Sequence, residues 1–174
     1  MVRAALLALL LAGPAAAQEA VAELDADLTG DGRMEHAALL DTDRIALQIH
    51  DAGGRLMAQS EAIVWRGQPN EGPHLEVNAR GSLIVRSSNW GIGRNKWEMA
   101  VTVAFRRGRF VVAGLTFGEV DTFAPDDAMS CDVNLLTGRG VITRHGQEKA
   151  VRIDTPAPPV ESWGEEDVLR ICPE

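Results

Sequence analysis

The stretch KWEMAVTVAFRRGRFVVAGLTF, residues 96–117, decides the fold of this chain. In its first half every second side chain is large and apolar, and these are Trp97, Met99, Val101, Val103 and Phe105. Because successive side chains of a strand point to opposite faces, this period of two predicts a half-buried β-strand. Residues 109–117 predict a second strand that returns after a turn at residues 106–108, so the stretch reads as a long antiparallel hairpin.

Shorter hairpin patterns lie on both sides of this stretch. Apolar segments of this kind include residues 36–40, 45–49, 55–65, 74–78, 82–86 and 131–136. No segment shows long helical periodicity, so no helical crossover is expected between strands. The sequence therefore predicts an all-β antiparallel meander of about eight strands, sandwich- or half-propeller-like.

Two segments near the C-terminal end carry other expectations. Residues 119–130 read as an acidic loop around Pro125. Ser162 and Glu165 have the spacing of a capping box, which predicts a short helix over residues 165–171.

The N-terminal residues have the pattern of a secretory signal peptide over residues 1–17. Arg3 precedes the apolar run 4–12, and three alanines at 15–17 precede the expected cleavage before Gln18. No cysteine stands directly after the cleavage site, so we expect no lipid anchor. No later apolar run reaches the about 20 residues of a membrane-spanning helix, so we expect no membrane anchor of either kind. Residues 18–174 would then form a single β-rich domain that is periplasmic or secreted.

Charge narrows the choice of partners. Loss of Arg3 leaves 16 basic against 25 acidic side chains, which moves the formal net charge from -8 to -9. Such a chain disfavours nucleic acid and anionic membrane surfaces as partners. We expect a monomer whose ligand is an unknown protein or a component of the cell envelope.

The two cysteines, Cys131 and Cys172, predict a structural disulfide. A metal site would need more thiols or a nearby histidine. The chain-entropy model gives a loop of about 40 residues a stabilisation of roughly 4 kcal/mol.

Residues 25–35, DADLTGDGRME, form the one segment whose residue types and spacing agree on a ligand. Oxygen-bearing side chains recur along it at Asp27, Thr29, Asp31 and Glu35, and the Arg33 carbonyl would complete the set. Hard cations such as Ca²⁺ take oxygen ligands of this kind, so we expect a structural calcium loop. The alternative is a glycine-rich turn whose carboxylates face solvent.

The pattern Asp-x-Thr-x-Asp-Gly-x-x-Glu over residues 27–35 resembles the calcium loop of FG-GAP/VCBS-type blades. Those loops have Asn at the third position and Asp at the ninth, where this chain has Thr29 and Glu35. The resemblance covers residues 24–60 and implies calcium binding. It supplies a single blade, whereas a propeller needs about four.

Three later segments are similar to a set of small exported bacterial proteins that carry one such loop. The segments are residues 81–85, the run from Trp97 to Gly114, and residues 134–138. This similarity spans most of the chain and implies a fold and a compartment, not a reaction.

Two further loops carry candidate contacts. Trp90 and Arg94 flank a glycine-rich segment and are candidates for anchoring a partner, although a Trp90 that folds back on the sheet is the favoured alternative. Arg106, Arg107 and Arg109 form a basic hairpin tip that either reads an anionic group or is simply solvated, and the solvated turn is favoured.

No catalytic constellation is evident in the sequence. The histidines do not have the i, i+4 spacing of a helical zinc pair, and no Gly-x-Ser-x-Gly elbow is present. The sequence therefore favours an exported non-catalytic binding module, and the alternative is a small periplasmic hydrolase with an unrecognised site.

Overall fold

The computed structural model describes residues 20–69, 71–154 and 157–173. The signal peptide expected over residues 1–17 lies outside these residues. Within them the chain forms eleven strands and one short α-helix. The strands are β1 (Ala20–Ala26), β2 (Glu35–Asp41), β3 (Ile45–His50), β4 (Leu56–Val64), β5 (His74–Val77), β6 (Leu83–Asn89), β7 (Asn95–Arg106), β8 (Arg109–Asp121), β9 (Ala124–Asn134), β10 (Arg139–Arg144) and β11 (Gln147–Arg152), and the helix is α1 (Asp167–Ile171).

The strands form two open antiparallel meanders. One sheet has four strands in the order β1-β2-β3-β4, and the other has seven in the order β11-β10-β9-β8-β7-β6-β5. The all-β antiparallel prediction with a short C-terminal helix is thus confirmed, with eleven strands instead of about eight. In the part of the chain that the structure describes, no helix has the length and hydropathy needed to cross a bilayer.

The core consists of apolar side chains from both sheets. Leu39, Leu47 and Ile49 of the smaller sheet belong to the same buried cluster as Val101 and Phe117 of the larger one. The alternation in β7 places Met99, Val101 and Val103 in this core from one face of the strand, and Ala100 and Ala104 on its other face are also buried.

Two local expectations were wrong. Residues 119–130 do not form a loop, since β8 continues to Asp121 and β9 starts at Ala124 after a tight turn. The pairs Glu119–Met129 and Asp121–Ala124 hold the two ends of this segment against β8, with a register shift between them. No capping box forms either: the Ser162 hydroxyl donates to the Pro159 carbonyl at 3.0 Å, and α1 begins at Asp167 without a side-chain cap.

The C-terminal segment crosses both sheets. The Val112 amide of β8 donates to the Pro158 carbonyl at 2.9 Å, and a short 3-10 turn follows at Val160–Ser162. The disulfide predicted between Cys131 of β9 and Cys172 is present, with both residues buried and a Cα–Cα distance of 5.9 Å. This cross-link indicates an oxidising, extracytoplasmic compartment.

The meander sorts the turns of the larger sheet into two groups. The turns after Val77, Arg106 and Asn134 lie at one end, and those after Asn89 and Asp121 lie at the other. Consecutive antiparallel strands reverse direction at each turn, so alternate turns share an end. Trp90 and Arg94 therefore lie at one end of the larger sheet, and the basic hairpin tip at residues 106–109 lies at the other.

Candidate functional site

The acidic loop connects β1 to β2 and is closed by its first aspartate. Asp27 Oδ1 accepts hydrogen bonds from the amides of Gly30 and Asp31 at 2.7 and 3.1 Å. Asp27 Oδ2 accepts one from the Gly32 amide at 2.9 Å. Gly30 and Gly32 have φ values of 80° and 84°, a region that glycine enters without a Cβ penalty. Asp27 thus caps the loop with both carboxylate oxygens.

Asp31, the central acidic residue of the loop, pairs with Arg33. Its Oδ2 accepts from Nε and Nη2 of Arg33 at 3.0 and 2.7 Å, and its Oδ1 accepts from the Arg33 amide at 2.9 Å. These side-chain and then backbone hydrogen bonds hold the pKa of Asp31 below its usual value. The same contact raises the pKa of Arg33. Asp31 therefore already has a cationic neighbour.

Glu35, predicted as the last calcium ligand, is buried with only 2% of its surface exposed. Its Oε2 accepts from the amides of Leu28 and Thr29 at 2.8 and 3.0 Å. The Thr29 hydroxyl donates to Oε1 at 3.4 Å. The side chains of Glu35 and Thr29 thus bond to each other, and Glu35 joins the start of β2 to the start of the loop.

The donor types of this loop suit calcium, but their arrangement is not that of a preformed site. The carboxylates of Asp27 and Glu35 accept backbone amides, and Asp31 faces a guanidinium group. Among the described residues, no three His, Cys, Asp or Glu side chains are grouped so that they could hold a metal ion. Calcium binding by Asp27, Thr29, Asp31, Arg33 and Glu35 stays a prediction.

The loop that carries Trp90 and Arg94 connects β6 to β7, at the end of the larger sheet that also holds the turn after Asp121. Trp90 is 52% exposed and Ile92 55% exposed, so the expectation that Trp90 folds back on the sheet is wrong. The Asn89 side chain accepts from the Ile92 amide at 3.0 Å and donates to the Ile92 carbonyl at 2.9 Å. This pair of hydrogen bonds gives the loop a defined shape, and the shape presents both apolar side chains outward.

Arg94 joins this loop to the β8–β9 turn. Its guanidinium forms an ion pair with Asp121, and its carbonyl accepts from the Thr122 amide at 3.0 Å. The guanidinium carbon also lies 5.3 Å from the ring centroid of Phe123. The side-chain bond from Arg94, followed by the Phe123 amide, holds the pKa of Asp121 below its usual value. The pKa of Arg94 is raised by the same partner.

Phe123 is the residue that sequence reasoning missed. It is 82% exposed, the largest exposed fraction among the large apolar side chains of the described residues. The available signal was an aromatic residue at the tip of a turn rich in acidic residues. We call Trp90, Ile92, Arg94 and Phe123 the aromatic tip.

The known proteins supply no further guide. Comparisons of this chain with family models, with curated proteins and with solved structures found no match. The resemblance to calcium-loop blades and to small exported proteins therefore stays a prediction.

Proposed function

We propose that the chain is an exported, non-catalytic binding module whose partner, a protein or a component of the cell envelope, docks on the aromatic tip. The observation that carries the proposal is the joint exposure of Trp90, Ile92 and Phe123, at 52, 55 and 82%. Apolar side chains this exposed on neighbouring turns are typical of interaction sites.

The hydrogen bonds beneath the tip support this function. Asn89 holds the Ile92 backbone, and the Arg94 carbonyl holds the turn that carries Phe123. Contact groups that are held before the partner arrives lose less conformational entropy on binding. Arg94, the charged member of the aromatic tip, is a residue type enriched at binding hot spots.

The compartment is part of the proposal. The disulfide requires an oxidising environment, and the N-terminal pattern predicts export to the periplasm or the medium. We therefore expect the partner in the same compartment, and we expect the chain alone to be a monomer. Osmotic-shock fractionation of the native host and sedimentation velocity test these two points.

The experiment that tests docking is capture from envelope extract with three forms of the exported protein. The wild type is compared with Trp90→Ala/Phe123→Ala, and the control is Leu56→Ala, which truncates a 45% exposed side chain at the start of β4 in the smaller sheet. We expect one captured component that rebinds after purification with a 1:1 ratio to the wild type and the control. Binding by the double variant at wild-type affinity would contradict the proposal.

The alternative, a small hydrolase, makes a different forecast. Wild-type protein would then turn over generic ester or glycoside substrates, and the tip variants would keep that activity. Turnover that co-purifies with the protein through two chromatographic steps would replace the binding proposal by the enzymatic one.

We propose Ca²⁺ as the ligand of the acidic loop on the chemistry of its donors alone. Carboxylates and a hydroxyl at Asp27, Thr29, Asp31 and Glu35 are oxygen ligands of the hard type that calcium takes. Binding requires these oxygens to give up some of their present amide donors, so the affinity should be low, on the order of 10⁻⁴ to 10⁻³ M. Unfolding with calcium and with chelator tests it.

A further inference from the structure

A second surface, at the end of the larger sheet opposite the aromatic tip, has the composition of an anion-binding site. A groove with a volume of about 280 Å³ opens there on the outer face of the sheet. Its polar lining includes Asn78, Arg80, Thr102, Arg106, Thr116 and Asn134, and we call it the arginine groove. The turn after β5 and the strands β7, β8 and β9 supply these residues.

The floor of the groove is open because one position lacks a side chain. Gly114 of β8 lies between Thr102 of β7 and Asn134 of β9 in the ladder register. A Cβ at Gly114 would have its nearest neighbours at 3.4 and 3.7 Å, which is ordinary contact. The local packing therefore does not require glycine, and its presence leaves space above the sheet.

The two arginines of the groove have no carboxylate partner. Among the described residues, neither Arg80 nor Arg106 forms an ion pair, whereas Arg66, Arg86 and Arg94 do. Arg106 donates only to the carbonyl of its neighbour Phe105, at 2.7 Å. In a chain with formal net charge -8, two unpaired guanidinium groups on one small groove are a local excess of positive charge.

The two asparagines add mainly donors to the groove. Asn78 Oδ1 accepts from the amides of Arg80 and Ser82 at 2.9 and 3.1 Å. Asn134 Oδ1 accepts from the Thr137 amide at 3.0 Å. Within the described residues neither amide nitrogen has an acceptor, so both asparagines offer the groove N–H groups. A ligand that satisfies the arginine and asparagine donors of this lining is itself rich in acceptors.

We propose that the arginine groove binds a phosphate or carboxylate group of a small molecule, with Arg80 and Arg106 as the charged donors. Guanidinium groups match the planar or tetrahedral oxygens of such anions with paired hydrogen bonds. The threonine hydroxyls and asparagine amides complete the donor set. The groove volume suits one anionic group with a few attached atoms.

Asp132 sets the position of the anion within the groove. It also lines the groove, and it pairs in register with Thr116. A carboxylate repels an anion, so the ligand lies at the end formed by Arg80 and Arg106. Replacement of Asp132 by asparagine should then strengthen binding several-fold at low salt.

The test is a titration of ¹⁵N-labelled exported protein with inorganic phosphate and, separately, with citrate, followed by two-dimensional NMR at low ionic strength. We expect saturable chemical-shift changes of the Gly114, Thr116 and Asn134 amides with one or both anions. The anion that saturates at the lower concentration shows whether the groove prefers phosphate or carboxylate. Arg80→Gln/Arg106→Gln should weaken binding about tenfold or more.

The matched control is Arg107→Asn/Arg109→Gln, which removes two charges from the same hairpin tip without changing the lining of the groove. Asparagine suits position 107 because Arg107 has a φ of 52°. Equal loss of binding in this control, or shifts that never saturate with either anion, would overturn the proposal. If the double variant does not fold, Gly114→Ala, which narrows the groove, must weaken binding instead.

Anion binding in the arginine groove does not depend on docking at the aromatic tip. The arginine groove and the aromatic tip lie at opposite ends of the larger sheet. Failure of either experiment therefore leaves the other proposal standing.

Discussion

The indole Nε1 of Trp163 donates a hydrogen bond of 3.1 Å to the backbone carbonyl oxygen of Ile63, which is 100 residues earlier in the chain. Next to it the Ser60 hydroxyl donates to the Trp163 carbonyl at 3.0 Å. Both contacts are buried and both tie the C-terminal segment to β4 of the smaller sheet. The disulfide at Cys172 ties the same segment to the larger sheet, so the tail joins the two.

Trp163→Phe should destabilise the protein by about 1–3 kcal/mol, because it keeps most of the ring and leaves the buried Ile63 carbonyl without a donor. The control is Trp90→Phe, on an exposed side chain, which should change stability little. Urea unfolding followed by circular dichroism measures both. Equal midpoints for Trp163→Phe and the wild type would show that the indole hydrogen bond adds nothing to stability.

Loss of the disulfide should cost roughly 4 kcal/mol, because the bond closes a sequence separation of 41 residues in the unfolded chain. Cys131→Ala/Cys172→Ala is compared with the wild type by urea unfolding under non-reducing conditions. A reducing agent should lower the midpoint of the wild type and leave the variant unchanged. If reduction of the unfolded wild type leaves its unfolding midpoint unchanged, the predicted stabilisation by the disulfide is wrong.

Glu35→Ala should destabilise the protein by about 2–4 kcal/mol without any added metal. The reason is that the amides of Leu28 and Thr29 lose their acceptor in a buried position. Glu35→Gln should cost less, because both amides donate to one oxygen and a carboxamide retains one. Glu61→Ala, on the exposed side of β4, is the control. If Glu35→Ala leaves the stability unchanged, the amides of Leu28 and Thr29 donate to water in that variant.

Calcium should raise the unfolding midpoint of the exported protein by several degrees. At 10 mM calcium and the affinity proposed above, mass action stabilises the folded state by about 1.4–2.7 kcal/mol. Asp31→Ala should abolish the rise, and Asp43→Ala in the turn after β2 should preserve it. An unchanged midpoint at 10 mM, relative to chelator, would reduce the acidic loop to a turn closed by its own hydrogen bonds.

The Arg94–Asp121 ion pair should stabilise the tip at neutral pH and not in acid. Because the folded-state pKa of Asp121 lies below the ordinary value of 3.8, its contribution is present above that pH and is lost as the pH falls through the folded-state pKa. The midpoint of Asp121→Asn should therefore lie below that of the wild type at pH 7 and approach it below pH 3.8. Asp126→Asn, at an exposed position of β9, is the control and should change the midpoint little at pH 7.

The shape of the acidic loop could be predicted from its residue types, but its hydrogen bonds could not. Spacing identified a closed, glycine-dependent loop, and Gly30 and Gly32 do have positive φ values. Spacing did not predict which donors each carboxylate would accept. Glu35 bonds to amides six and seven positions earlier, because the start of β2 pairs back against the end of β1.

The sequence by itself determined the antiparallel strand pattern on both sides of residues 119–130 and the disulfide between Cys131 and Cys172. Those features depend on side-chain period and on the number of cysteines, which are local or compositional properties. Only the tertiary structure decided that Phe123 lies against Arg94 and that Arg80 shares a groove with Arg106. The physical reason is that the register between distant strands brings these turns together, and no short-range pattern encodes that register.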